Sequence, residues 1–138
     1  MLSLRFIANN IDQIALALEH VAKGDANNAR FALMLIDNVV EITLHQIAKN
    51  VQAEAKSYTK SLRDALGQKF EDKVKFAQEI GRLDSEVGES IKVFHSFRNE
   101  IYHIGVHHEV VLPAITKFYF KVACIFLDAC VPSGIRAC

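Results

Sequence analysis

Five side chains able to bind a phosphate or move a proton lie close together in this chain: His95, Arg98, Asn99, Tyr102 and His103. Their offsets of 0, 3, 4, 7 and 8 are those of one face of an α-helix. Phe94, Phe97, Ile101 and Ile104, spaced by three, four and three, form the apolar stripe of the same helix. Lys and Glu dominate ordinary solvated faces, and the polar stripe has neither. Histidine is the side chain that titrates near neutrality. Arginine offers a fork of donors that fits phosphate. Arg98 and His103 are five residues apart, which sets them about 140° apart around an ideal helix. One straight helix therefore does not aim both at one atom. Either the helix unwinds near Gly105, or two copies face each other across a shared cleft.

The surrounding elements all read as helices. A first helix is expected over 4–22, ended by Gly24, with Asp25 placed to cap the next. A long second helix is expected over 27–56. Its apolar residues, from Phe31 to Ile47, cover most of its circumference, so it belongs at the centre of a bundle or against a partner. Its remaining polar stripe is Asp37, Glu41 and His45. Those acidic residues are expected to pair with Arg98 or His95 across the bundle. Metal ligation is the minor alternative, and no metal site is expected. Residues 59–68 read as a connection with room for a short helical piece. Amphipathic helices follow over 69–83 and 87–104, the latter ended by Gly105. A last apolar helix spans 109–131, with Pro113 in its first turn and Glu109 as a cap.

The expected fold is all-α: one domain over 1–138, built as an up-and-down bundle of four to five helices. The second and last helices are apolar nearly all round. That is more apolar surface than so small a core needs, so one of them is expected to bury area in a homodimer.

Composition narrows the partners. Sixteen basic and sixteen acidic residues cancel, so no global field attracts nucleic acid. Six lysines at 49, 56, 60, 69, 73 and 75, with Arg63, make a basic fringe expected to be a solvated surface. Of the three cysteines, Cys124 and Cys130 sit in an apolar run and are expected to be buried thiols, which with Cys138 implies a reducing, cytoplasmic setting. The opening Met-Leu-Ser-Leu-Arg-Phe does not read as a secretory signal. The most apolar stretch, 118–127, is too short to span a bilayer, so no membrane partner is expected. No phosphate loop, dinucleotide fingerprint or nucleophile elbow is present, and no cofactor is expected. His107 and His108 follow the helix and are expected to be simply exposed, with contact to a substrate at His103 as the minor alternative.

The segment Phe-Arg-Asn-Glu-Ile-Tyr-His (97–103) resembles the signature of HEPN domains, R-x4-6-H with a polar residue after the arginine. Arg98, four residues and His103 fill it, with Asn99 in the polar slot. The resemblance implies a helical bundle that dimerises. It implies a metal-independent endoribonuclease of a toxin–antitoxin or phage-defence system, or a non-catalytic relative that binds nucleotide, RNA or protein. In the catalytic case, His103 would be general acid or base, Arg98 would stabilise transition-state charge, and Asn99 would orient them. His95, Tyr102, Asp37 and Glu41 would support the site. Partners would be RNA, a second subunit, and an antitoxin or defence-system protein. One departure stands out. Some toxins of the family have a partner-modified tyrosine two residues after the motif histidine, and Gly105 occupies that position here.

Overall fold

The computed structural model describes residues 2–104 and 110–131, with backbone alone for 102–104. The side chains of Tyr102 and His103, the helix stop at Gly105, and the roles given to His107, His108 and Glu109 lie outside the described residues. Among the described residues there are six α-helices and no strand: α1 (Leu4–Lys23), α2 (Ala26–Glu54), α3 (Lys60–Ala65), α4 (Phe70–Glu79), α5 (Ser85–Ile104) and α6 (Leu112–Cys130).

The helix ends follow from local chemistry. The Ser3 hydroxyl accepts from the Phe6 amide and starts α1. Gly24, at φ 77°, ends it in a left-handed turn and donates to the Val21 carbonyl. Asp25 caps α2 as expected, by accepting from the Asn28 amide. Thr59 caps α3, the short piece inside the expected connection. Gly81, at φ 74°, stops α4 at Glu79, short of residue 83. Helix α5 starts at Ser85 rather than 87, because the Asp84 carboxylate accepts from the amides of Glu86 and Val87. Helix α6 starts at Leu112 rather than 109, with Pro113 in its first turn, where no amide donor is needed.

Helix α2 packs against each of the other five. By length and composition it could cross a membrane, unlike the shorter apolar stretch 118–127. Here 56% of its most apolar window is buried inside the fold, which is the setting of a central core helix. Leu33, Ile36, Val40 and Leu44 of α2 meet Ile91 of α5 and Tyr119, Ala123 and Phe126 of α6. Each large apolar side chain buried this way contributes about 1.5–3 kcal/mol.

Polar ties fix the register of these helices on α2. The Asn10 amide donates to Thr43 from α1. The Thr116 hydroxyl of α6 contacts the Ala29 carbonyl at 3.3 Å. Asp37 and His45 make the other two ties, described below. Phe31, Met34 and Ile42 of α2 and Phe118 and Ile125 of α6 remain exposed. Cys124 and Cys130 are half-buried rather than fully buried. Burial still pushes the Cys124 thiol above its ordinary pKa, which suppresses reactivity.

Candidate active site

Asp37 is an acidic residue in an otherwise apolar stretch of α2, and it is only 1% exposed. A buried carboxylate needs partners to offset its lost hydration. Three arrive from two other helices. The Tyr119 hydroxyl of α6 donates to Oδ1 at 2.7 Å. The His95 Nδ1 of α5 lies 3.0 Å from Oδ2 and 3.1 Å from Oδ1. The Arg98 Nε lies 3.6 Å from Oδ2, an ion pair one helical turn beyond His95. Burial, then the Asp37 charge and hydrogen bond, pushes the Tyr119 phenol well above its ordinary pKa, so it stays a donor.

The network continues outward along α5. The Asp37 carboxylate accepts a hydrogen bond from His95 Nδ1–H, and in that tautomer Nε2 is the acceptor nitrogen. The Asn99 amide donates to that Nε2 at 3.2 Å. The Asn99 Oδ1 in turn accepts from Arg98 Nη1 at 3.0 Å. Asn99 thus bridges the base-capable nitrogen and the guanidinium. The His95 ring lies flat on Phe70 of α4, with centroids 3.7 Å apart and planes within 3°. Phe94 stacks on Tyr119 at 4.9 Å and closes the inner side. Outside, His95 and Asn99 line a surface cleft with Lys69, Phe70, Lys92 and Ser96, whose rim also carries Glu71 and Asp72.

A second polar cluster sits two turns further along α2. Lys73 of α4 is 3% exposed, which corrects its assignment to a solvated fringe. Its ammonium donates to the Ala65 carbonyl at 2.8 Å, to the Gly67 carbonyl, and to His45 Nδ1 at 3.0 Å. All three protons are used, and the carbonyls of Ala65, the last residue of α3, and of Gly67 just beyond it are satisfied in return. Burial lowers the Lys73 pKa, against the opposing pull of Glu41 and Asp72. Burial and the charges of Lys73 and Lys49 lower that of His45.

Of the residues singled out in the sequence, Asp37, His95, Arg98 and Asn99 come together. The expected cross-bundle pairing of an α2 carboxylate with Arg98 and His95 is made by Asp37. Glu41 is not part of that array: it lines the other cleft with Asn38, His45, Lys49 and Lys73. Asp37 and His45 are therefore committed to different partners. Among the described residues no group of three His, Cys, Asp or Glu surrounds one point. Two residues escaped notice in the sequence. Tyr119 sits among Phe118, Phe120 and Val122, and its phenol needed a buried acceptor. Phe70 gave no signal beyond its place on the α4 core face. No protein-family profile, curated protein or solved structure matches this chain.

Proposed function

We propose that this chain is a metal-independent endoribonuclease of the HEPN type, cleaving RNA by attack of its own 2′-hydroxyl. One observation carries this: a buried carboxylate of the central helix fastens His95 and Arg98, and through them Asn99, on the face of α5 whose sequence runs Arg98-Asn99-x3-His103. Enzymes hold reactive side chains by supporting contacts of this kind. Arg98 would take the phosphate and stabilise charge as the 2′-oxygen attacks. His103 would move a proton to or from the reacting oxygens. The reaction needs no metal as acid or base. A dimer would complete the site by supplying a second Arg98 and His103. The exposed Phe31, Met34, Phe118 and Ile125 are the apolar surface available for one. On the resemblance, the biological setting is a toxin or phage-defence system acting on cytoplasmic RNA.

The test is incubation of the purified protein with RNA and with DNA of the same sequence in chelator, beside His103→Ala. RNA cleavage lost in His103→Ala, with DNA intact, supports the assignment. Equal cleavage of DNA contradicts it, because DNA has no 2′-hydroxyl.

A second reading is a non-catalytic helical module that binds nucleotide, RNA or protein. The observation in its favour is that Asn99 joins Arg98 to His95, as a network that merely fixes helix register would. Binding of RNA without cleavage, by wild type and His103→Ala alike, would select it.

A further inference from the structure

We propose that His95 is the proton acceptor for the 2′-hydroxyl, with Asp37 as its orienting carboxylate and Asn99 as a latch that substrate opens. This rests on the ribonuclease assignment and gives a role to a histidine outside the R-x4-H motif.

The geometry is that of a carboxylate–imidazole pair. Asp37 holds Nδ1 at 3.0 Å, which fixes the proton there and leaves a lone pair on Nε2. Phe70 fixes the ring plane. Tyr119 and Arg98 occupy the carboxylate from the other sides, so its position is set from three directions. His95 is also three residues from Arg98. On a helix that is about 60° of rotation, against about 140° for Arg98 and His103. A base and a phosphate-binding cation can therefore serve one phosphate from one straight helix of one subunit.

Asn99 holds the two together at rest. A phosphate arriving at Arg98 offers oxygens that compete with the Asn99 Oδ1 for the guanidinium. Once released, the amide can turn from Nε2 and leave it to the ribose. His95 Nε2 then takes the 2′-hydroxyl proton. The 2′-oxygen forms a bond to phosphorus, and the bond from phosphorus to the 5′-oxygen breaks. The leaving oxygen takes a proton from a general acid, the role that the proposed function gives to His103 of the partner subunit. The products are a 2′,3′-cyclic phosphate and a 5′-hydroxyl, and exchange with water resets both rings. Lys69 and Lys92 line the same cleft, but Glu71 and Asp72 share it and Lys92 is paired with Glu89 at 2.9 Å, so Arg98 is the cation assigned to the phosphate.

His95→Asn separates this role from a structural one, because its amide nitrogen replaces Nδ1 as donor to Asp37 while no base remains. His95→Ala is the second variant, since it leaves a ring-sized gap between Phe70 and Asp37 that added imidazole can fill. Both are measured for kcat and KM on an RNA oligonucleotide in chelator, with thermal melts alongside. The expected result is a fall in kcat of about 100-fold or more in His95→Asn with KM little changed. His95→Ala is expected to regain activity with imidazole, following the concentration of its neutral form. Wild-type cleavage with His95→Asn within about threefold of it would overturn the inference and leave the ribonuclease assignment standing. So would failure of imidazole to restore a folded His95→Ala. No cleavage by the wild type would overturn both.

Discussion

Replacing Asp37 by alanine would remove the acceptor on which three helices converge. Tyr119 is 0% exposed, so its hydroxyl would be stranded in the core. A stranded buried donor costs about 1–3 kcal/mol. His95, whose side chain is 16% exposed, would lose its Nδ1 partner at a cost of about 1 kcal/mol. The Arg98 side chain is 31% exposed, and water would take over much of its solvation, so its share is small. Together these give about 2–4 kcal/mol, which overlaps the roughly 3–5 kcal/mol for breaking a buried ion pair from one side. That is a large part of the roughly 5–15 kcal/mol by which small domains are stable. The melting temperature is expected to fall by roughly 8–16 °C, followed by far-ultraviolet circular dichroism. Tyr119→Phe is expected to cost only about 1 kcal/mol, because Asp37 keeps His95 and Arg98. In the double variant no phenol is stranded, so its loss should fall short of the sum of the single losses by about 1–2 kcal/mol. An Asp37→Ala cost under about 1 kcal/mol, or simple additivity with Tyr119→Phe, would refute the network as described.

Two further outcomes are expected from the structure. The folded pKa of His45 is held below its ordinary 6.5, so between those two values the unfolded chain binds more protons than the folded one. Stability should therefore drain away as pH falls from about 6.5 through the lowered value, and urea midpoints across that range should be flatter in His45→Gln, where Lys73, Lys49 and Glu41 face an amide that does not titrate. Gly24→Ala should lose about 1 kcal/mol in denaturant titration, because φ 77° is left-handed and no contact compensates a new methyl there.

Helix periodicity made most of the fold legible, because apolar spacing, with capping and glycine signals, placed the long helices to within about three residues at most ends. The misplaced ends have local causes. Asp84 caps α5 through a side chain the pattern did not weigh, and Gly81 cuts α4 short. The pairing of an α2 carboxylate with α5 was legible from the polar stripe Asp37, Glu41 and His45 in an otherwise apolar helix and from the histidine and arginine of α5; that Asp37 rather than Glu41 makes it was not. Glu41 shares that spacing but lies a turn further along, and it lines the cleft with Lys73 of α4. Lys73 looked like one more surface lysine. Only tertiary packing brings the carbonyls of Ala65 and Gly67 to its ammonium, and no residue pattern announces that. Tyr119 was hidden the same way, since its partner is 82 residues distant in the chain.

The central claim is that the Asp37-anchored face of α5 cleaves RNA through its 2′-hydroxyl. The most direct measurement is mass spectrometry of the ends left on a defined RNA oligonucleotide by the wild type and by Arg98→Ala, in chelator. A 2′,3′-cyclic phosphate and a 5′-hydroxyl, formed by the wild type and absent with a folded Arg98→Ala, are the expected result. No cleavage, 5′-phosphate ends, or the same products at the same rate from Arg98→Ala would contradict it.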